Sequence, residues 1–206
     1  ADLITRSAEL PGAGQGEVRA AAVMFVDVRG FTKTALTLPP ETVMRVLAHY
    51  QQISLSEIER HGGQIDKFMG DGILATFGAV HPGETYAADA LNAASAVIAA
   101  LDARQDEFVA LGWPGRFATG VAVASGEVTV GIVGSQGRYE FTVIGHAVNL
   151  ASKLESANKA QHTRALTDAV THRRAEAQGY VNPGVLHRDG ERVAGLAAAV
   201  DLVVLA

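Results

Sequence analysis

The segment from Gln64 to Phe77 constrains the fold more tightly than any other. Gln64–Phe68 and Ile73–Phe77 each read as a short apolar strand, and Gly70-Asp71-Gly72 leaves room only for a tight turn between them. The two strands must then be antiparallel neighbours, with Asp71 displayed at the tip of the turn. A second carboxylate is displayed in a similar way. Ala20–Val28 is a short, apolar, β-branched run that reaches Asp27 and is followed by Arg29-Gly30. Glycine beside such a turn lets the backbone come close to a ligand. Aspartate is common in turns, and either residue alone would mean little. Two of them, about forty residues apart, could hold divalent cations against a phosphate chain, which suits phosphoryl or nucleotidyl transfer.

The rest of the chain places these turns in one architecture. Pro39-Pro40-Glu41 opens a helix in the expected way, and Val43, Val46, Leu47, Tyr50, Ile53 and Ile58 recur along it at helical spacing until Gly62-Gly63. Glu84–Leu111 reads as a second long helix. Arg116–Ala124 and Val128–Val133 read as strands separated by Ser125-Gly126-Glu127, and Glu140–Ile144 as another. Gly145 leads into a helix over Ala147–Lys159, a further helix covers Thr167–Gln178, and strands at Val185–Arg188 and Val200–Leu205 close the chain. The order β-α-β-β-α-β predicts an α+β, ferredoxin-like core with additional C-terminal elements. Residues 1–19, with Pro11-Gly12-Ala13-Gly14-Gln15-Gly16, read as a flexible linker, and 20–206 as one domain. That glycine run precedes a strand instead of following one, which disqualifies it as a dinucleotide fingerprint.

Charge and composition narrow the function. The 206 residues carry a formal net charge of −5 with no basic run, which argues against nucleic acid as a partner. With no cysteine, disulfides, thiolate metal sites and thiol nucleophiles are excluded, and a cytoplasmic location fits. The longest apolar stretch, Ala87–Leu101, is interrupted by Asp89, Asn92 and Ser95 and is too short to cross a bilayer, so no membrane contact is expected of this domain. The chain starts at Ala1 without a signal peptide and reads as a domain excised from a longer protein, with a regulatory region expected upstream. Gly30-Phe31-Thr32-Lys33-Thr34, after a strand and opening a helical turn, could cradle phosphate oxygens with its backbone N–H groups.

Three segments together resemble one family. Phe25-Val26-Asp27-Val28-Arg29-Gly30-Phe31-Thr32, Lys67-Phe68-Met69-Gly70-Asp71-Gly72 and Phe141-Thr142-Val143-Ile144-Gly145-His146-Ala147-Val148-Asn149 are similar, in order and spacing, to the landmark motifs of class III nucleotide cyclase catalytic domains. The resemblance covers roughly Ala20 to Asn158 and implies a ferredoxin-like domain. It also implies that Asp27, Asp71 and the Val28 carbonyl bind two divalent cations, Mg²⁺ or Mn²⁺. Lys67 and Thr142 match the purine-selecting pair, and guanylate-type members carry glutamate and cysteine at these positions. A lysine donates to N1 of adenine and a hydroxyl accepts from its N6 amine, whereas guanine presents a donor at N1. The resemblance therefore implies an adenylate cyclase, converting ATP to 3′,5′-cyclic AMP and pyrophosphate.

Asn149 matches the asparagine that orients the ribose. One helical turn on, where the family usually has an arginine that stabilises the pentacoordinate phosphorus, this chain has Lys153. A lysine keeps the charge and loses the bidentate fork, so a slower enzyme is expected. The family's C-terminal triphosphate cation would correspond to Arg188 or Arg192. A head-to-tail homodimer is implied, in which each of two shared sites takes Asp27 and Asp71 from one subunit and Lys67, Thr142, Asn149 and Lys153 from the other. Two other readings stay open at this level: a degenerate cyclase domain that binds nucleotide without catalysis, supported by Lys153 alone, and a guanylate cyclase, which Lys67 and Thr142 disfavour.

Overall fold

Alternation along the first strand decides which residues meet which helices. In the computed structural model, which describes residues 15–135 and 138–206, β1 runs over Gly16–Val28 at the centre of an eight-stranded sheet. Ala22, Met24, Val26 and Val28 point to one face, and there they meet α2 (Pro40–Arg60), α3 (Tyr86–Asp102) and α4 (Gln105–Ala110) in one buried cluster. Ala21, Val23 and Phe25 point to the other face, against α5 (His146–Gln161). Asp27 continues this second series, so the strand period alone directs it toward the α5 side.

The first four strands lie in the order β2-β3-β1-β4, with β2 at Gln64–Met69, β3 at Gly72–Phe77 and β4 at Thr119–Ser135. All three pairings are antiparallel, and β2 and β3 are joined through the two-residue turn Gly70-Asp71, with Gly70 at φ 66°. This is the expected ferredoxin-like core. The C-terminal part extends it: β6 (Ala165–Asp168) lies parallel beside β4, followed outward by β8 (Val200–Val204) and β7 (Leu186–Glu191), while β5 (Arg138–Ile144) pairs with the far half of β4.

Several expected boundaries move, each for a physical reason. The sheet begins at Gly16, so residues 16–19 of the expected linker are strand, paired with Gly131–Val128 of β4. The glycines let the backbones approach: a Cβ on Gly131 would lie 2.6 Å from the Gln15 carbonyl oxygen. Pro11–Gly14 lie outside the described residues. Ser125-Gly126-Glu127 do not turn the chain but stay in β4, because the polar groups of Ser125 find partners there. Its N–H donates to Thr171 Oγ1 at 2.8 Å, and Arg174 donates to its hydroxyl at 2.7 Å. The long helix expected over 84–111 breaks at Ala103-Arg104. Gln105 then bonds Phe117 through both its amide groups, and Phe108 stacks on Phe117 with centroids 3.9 Å apart. The helix expected from Thr167 starts two residues later as α6 (Ala169–Ala177). Asp168 caps it, accepting from the N–H groups of Val170 and Thr171, and the buried residues before it form β6. Among the described residues, no helix is long and apolar enough to cross a membrane.

Candidate active site

Asp27 is the penultimate residue of β1, opposite Gly120, and Asp71 sits at the tip of the β2–β3 turn. The antiparallel β1–β3 pairing, Val26 to Ile73, brings the two strand ends together. The Asp71 carboxyl faces that of Asp27 and the backbone N–H of Val28. Burial first, and then the hydrogen bond and charge of Asp27, push the Asp71 carboxyl up to about 6. Two carboxylates this close repel when both are ionised, and a hard divalent cation between them relieves that repulsion. The donor set therefore fits such an ion. Among the described residues, no group of three or more acidic, histidine or cysteine side chains converges into a full metal cage. A Mg²⁺-type ion shared with substrate phosphates and water does not need one.

Both aspartates line a cavity of about 510 Å³ together with Gly30, Thr32, Lys33 and Lys159. Gly30 takes φ 69° and opens the short helix α1 (Phe31–Ala35), so the turn expected to cradle phosphate is present beside the carboxylates. Phe31 anchors the turn by stacking on buried Trp113, with centroids 5.9 Å apart and planes at 17°.

Behind the aspartates lies a polar layer that the sequence reading assigned no role. Nη1 of Arg29 is 3.6 Å from Oε1 of Glu155, a carboxylate at a buried position of α5. The two side chains lie across the bare Cα of Gly120, where a Cβ would sit 2.2 Å from Arg29 Nη2 and 2.5 Å from Glu155 Oε1. Burial and the charge of Asp27 push Glu155 up to about 7, with Arg29 pulling the other way. The Tyr50 hydroxyl, buried without a hydrogen-bond partner among the described residues, is raised well above its usual range by burial and by the charges of Asp27, Asp71 and Glu155. The signal for Glu155 was its place in the α5 stripe Ala147, Ala151, Leu154, Asn158, where an ionisable side chain faces the core.

Lys67 and Thr142, the pair expected to select the purine, sit on β2 and β5. Lys67 follows an irregularity in the β2–β3 pairing at Asp66. Its ammonium closely contacts Glu140 of β5 and lies 3.8 Å from Asp66, whose carboxylate is 1% exposed. Burial works against the Lys67 charge, but the bond to Glu140 and the charges of Asp66 and Glu140 outweigh it and raise its pKa. Burial, opposed by Lys67, pushes Asp66 up to about 6. Glu140 and Thr142 share a face of β5, so the contact that fixes Lys67 brings it to the side of the strand that carries Thr142.

Asn149 and Lys153 are exposed on the first turns of α5, one turn apart. A Cβ on Gly195 would meet Cε and Nζ of Lys153 at 2.8 Å, so the lysine lies over the loop before β8. Arg188 is occupied elsewhere, donating to the backbone carbonyl of Gln161 at 3.1 Å and to its side chain at 2.6 Å. Arg192 is exposed, and neither arginine lines the aspartate cavity.

With this arrangement in place, the resemblances are specific. The family model for the adenylate and guanylate cyclase catalytic domain matches residues 15–182. The chain belongs to this family. An uncharacterized protein of Mycobacterium tuberculosis is 36% identical over 156 residues, 76% of this chain and 28% of that protein, so the chain spans little more than a quarter of its curated relative. Among solved structures, the guanylyl cyclase Cya2 superposes with a TM-score of 0.79 at 32% identity, over 92% of each chain. The adenylyl cyclase CyaB from P. aeruginosa superposes with a TM-score of 0.76 at 28% identity, over 92% of this chain and 95% of that one. The eight-stranded α+β domain is therefore a class III cyclase fold, and the domain is of nucleotide cyclase type.

Proposed function

We propose that this domain is an adenylate cyclase, converting ATP to 3′,5′-cyclic AMP and pyrophosphate. The observation that carries the reading is Lys67, held by Glu140 and Asp66 on the same side as Thr142. A lysine fixed in this way donates to the bare N1 of adenine and meets a donor on guanine, an unpaired contact of the kind a polar site rejects strongly. Two Mg²⁺ or Mn²⁺ ions held by Asp27, Asp71 and the Val28 carbonyl would lower the pKa of the ribose 3′-hydroxyl and offset the triphosphate charge. The chain's own residues then position the reaction. N–H groups of Gly30, Phe31 and Thr32 cradle the phosphates, Asn149 orients the ribose, and Lys153 faces the charge that develops at the α-phosphorus.

Asp27 and Asp71 line the cavity of this chain, while Asn149 and Lys153 are exposed on α5 and do not line it. A second copy, related head to tail, would supply the missing half to each site, so the active form in this reading is a homodimer. A guanylate cyclase is the competing enzyme, since Cya2 is a guanylyl cyclase and the more similar of the two structures compared. A nucleotide-binding domain without catalysis is the reading from another class.

Product formation from ATP and from GTP, with Mn²⁺ or Mg²⁺, separates the three when Asp71→Ala serves as the blank. Metal-dependent cyclic AMP that vanishes in the variant is the expected result. Cyclic GMP would overturn the assignment of Lys67 and Thr142. Bound ATP without product would establish the non-catalytic reading.

A further inference from the structure

In the cyclase reading, the aspartate cavity would hold more negative charge than two divalent ions balance. Two divalent ions bring four positive charges; a triphosphate carries about four negative charges, and Asp27 and Asp71 add theirs. Roughly two negative charges are left over, and cations from the same wall of the cavity are the direct way to offset them. Arg29 lines the cavity but has its guanidinium against Glu155. The cations that remain on the lining are Lys33 and Lys159. Both are exposed, and among the described residues neither makes an ion pair.

Lys33 belongs to the turn after β1, but Lys159 comes from the last turn of α5, a different element. It lies ten residues, nearly three turns, beyond Asn149 on a helix of about 24 Å. The two ends of α5 therefore present different groups: Asn149 and Lys153 at its start, Lys159 beside the chain's own aspartates at its end.

We propose that Lys159 is a substrate-binding residue that grips the phosphate end of a nucleoside triphosphate, and the pyrophosphate left after cyclisation. It does so in the site that contains Asp27 and Asp71 of its own subunit. The proposal rests on the cyclase reading above and adds to it a cation that the cyclase motifs do not include. One helix then serves both shared sites, with its first turns completing the partner's and its last turn closing its own. The bland role for a lysine in the last turn is to complement the helix dipole, an effect on stability alone.

Three measurements on Lys159→Ala separate these roles. The variant should bind inorganic tripolyphosphate, titrated calorimetrically with Mg²⁺ present, about tenfold or more weaker than the native domain, the loss expected for one charge-assisted contact. Its KM for ATP should rise by a similar factor, while Lys159→Arg restores binding. Mixing then assigns the subunit. With Asn149→Ala, the Lys159→Ala protein forms one site with every residue intact, and a low-KM component should return. With Asp71→Ala, the surviving site still lacks Lys159, and KM should stay high.

Unchanged tripolyphosphate affinity with a lowered melting temperature would overturn the proposal in favour of the dipole role. The opposite mixing pattern would place Lys159 across the interface and overturn the same-subunit assignment. If Asp71→Ala and Asn149→Ala fail to complement each other, the shared-site reading falls, and the binding titration still decides whether Lys159 holds phosphate.

Discussion

Replacing Glu155 with glutamine should change how stability depends on pH more than it changes stability itself. In the folded domain burial and Asp27 raise this carboxyl from 4.5 to about 7, with Arg29 3.6 Å away opposing the shift. Because the folded value lies above the unfolded one, the native state holds the proton more tightly between these two values. The contribution is therefore fully present below about pH 4.5 and is lost as pH rises through about 7. A difference of roughly 2.5 units, at about 1.4 kcal/mol each, gives roughly 3 kcal/mol. The side chain is 11% exposed, so solvent trims this modestly, to about 2–3 kcal/mol. The assay is urea unfolding in chelator from pH 5 to pH 8 for both proteins, since bound metal would change the charge beside Asp27. Asp71 and Asp66 titrate in both proteins, and their contributions largely cancel in the difference. The stability of the native domain minus that of Glu155→Gln should fall by about 2–3 kcal/mol across the range. Curves that stay parallel to within about 0.5 kcal/mol would refute the reasoning and show that Glu155 is ionised throughout.

Three further outcomes follow from individual contacts. Gly120→Ala places a Cβ 2.2 Å from Arg29 and 2.5 Å from Glu155, so it should expel the pair and destabilise the domain by about 1–3 kcal/mol in thermal unfolding. If Lys153 stands at the α-phosphorus as proposed, Lys153→Arg supplies a planar fork there and should raise kcat about tenfold or more with little change in KM for ATP, as steady-state assays would show. Lys67→Glu combined with Thr142→Cys should move the preference from ATP toward GTP, read as the ratio of the two kcat/KM values.

The parts of the molecule legible in the sequence are those set by local chemistry. Strand period, Pro39-Pro40 and the Gly70-Asp71-Gly72 turn suffice for the core order and for the meeting of Asp27 with Asp71. The sequence misled where distant partners decide. Ser125-Gly126-Glu127 look like a turn until Thr171 and Arg174 satisfy Ser125 inside a continuous strand. β6 is four residues long, too short for a period to register, and exists because β4 and β8 flank it. Within the site, motifs located Lys67 but not the Asp66 and Glu140 carboxylates that hold it, since Glu140 is far away in sequence. Lys159 carries no local signal at all, and only the packing of α5 brings it to the cavity of Asp27 and Asp71.

The most direct test of the account is a mixture of two inactive proteins, Asp27→Ala and Asn149→Ala. If each site takes its metal carboxylates from one copy and its ribose and phosphorus contacts from the other, each variant is inactive alone. The heterodimer then keeps one intact site, and cyclic AMP formation should return to about a quarter of native specific activity at equal mixing. That figure follows from half of the dimers being mixed, each with one of two sites working. No recovery, with subunit exchange demonstrated by differently tagged copies, would contradict the shared site.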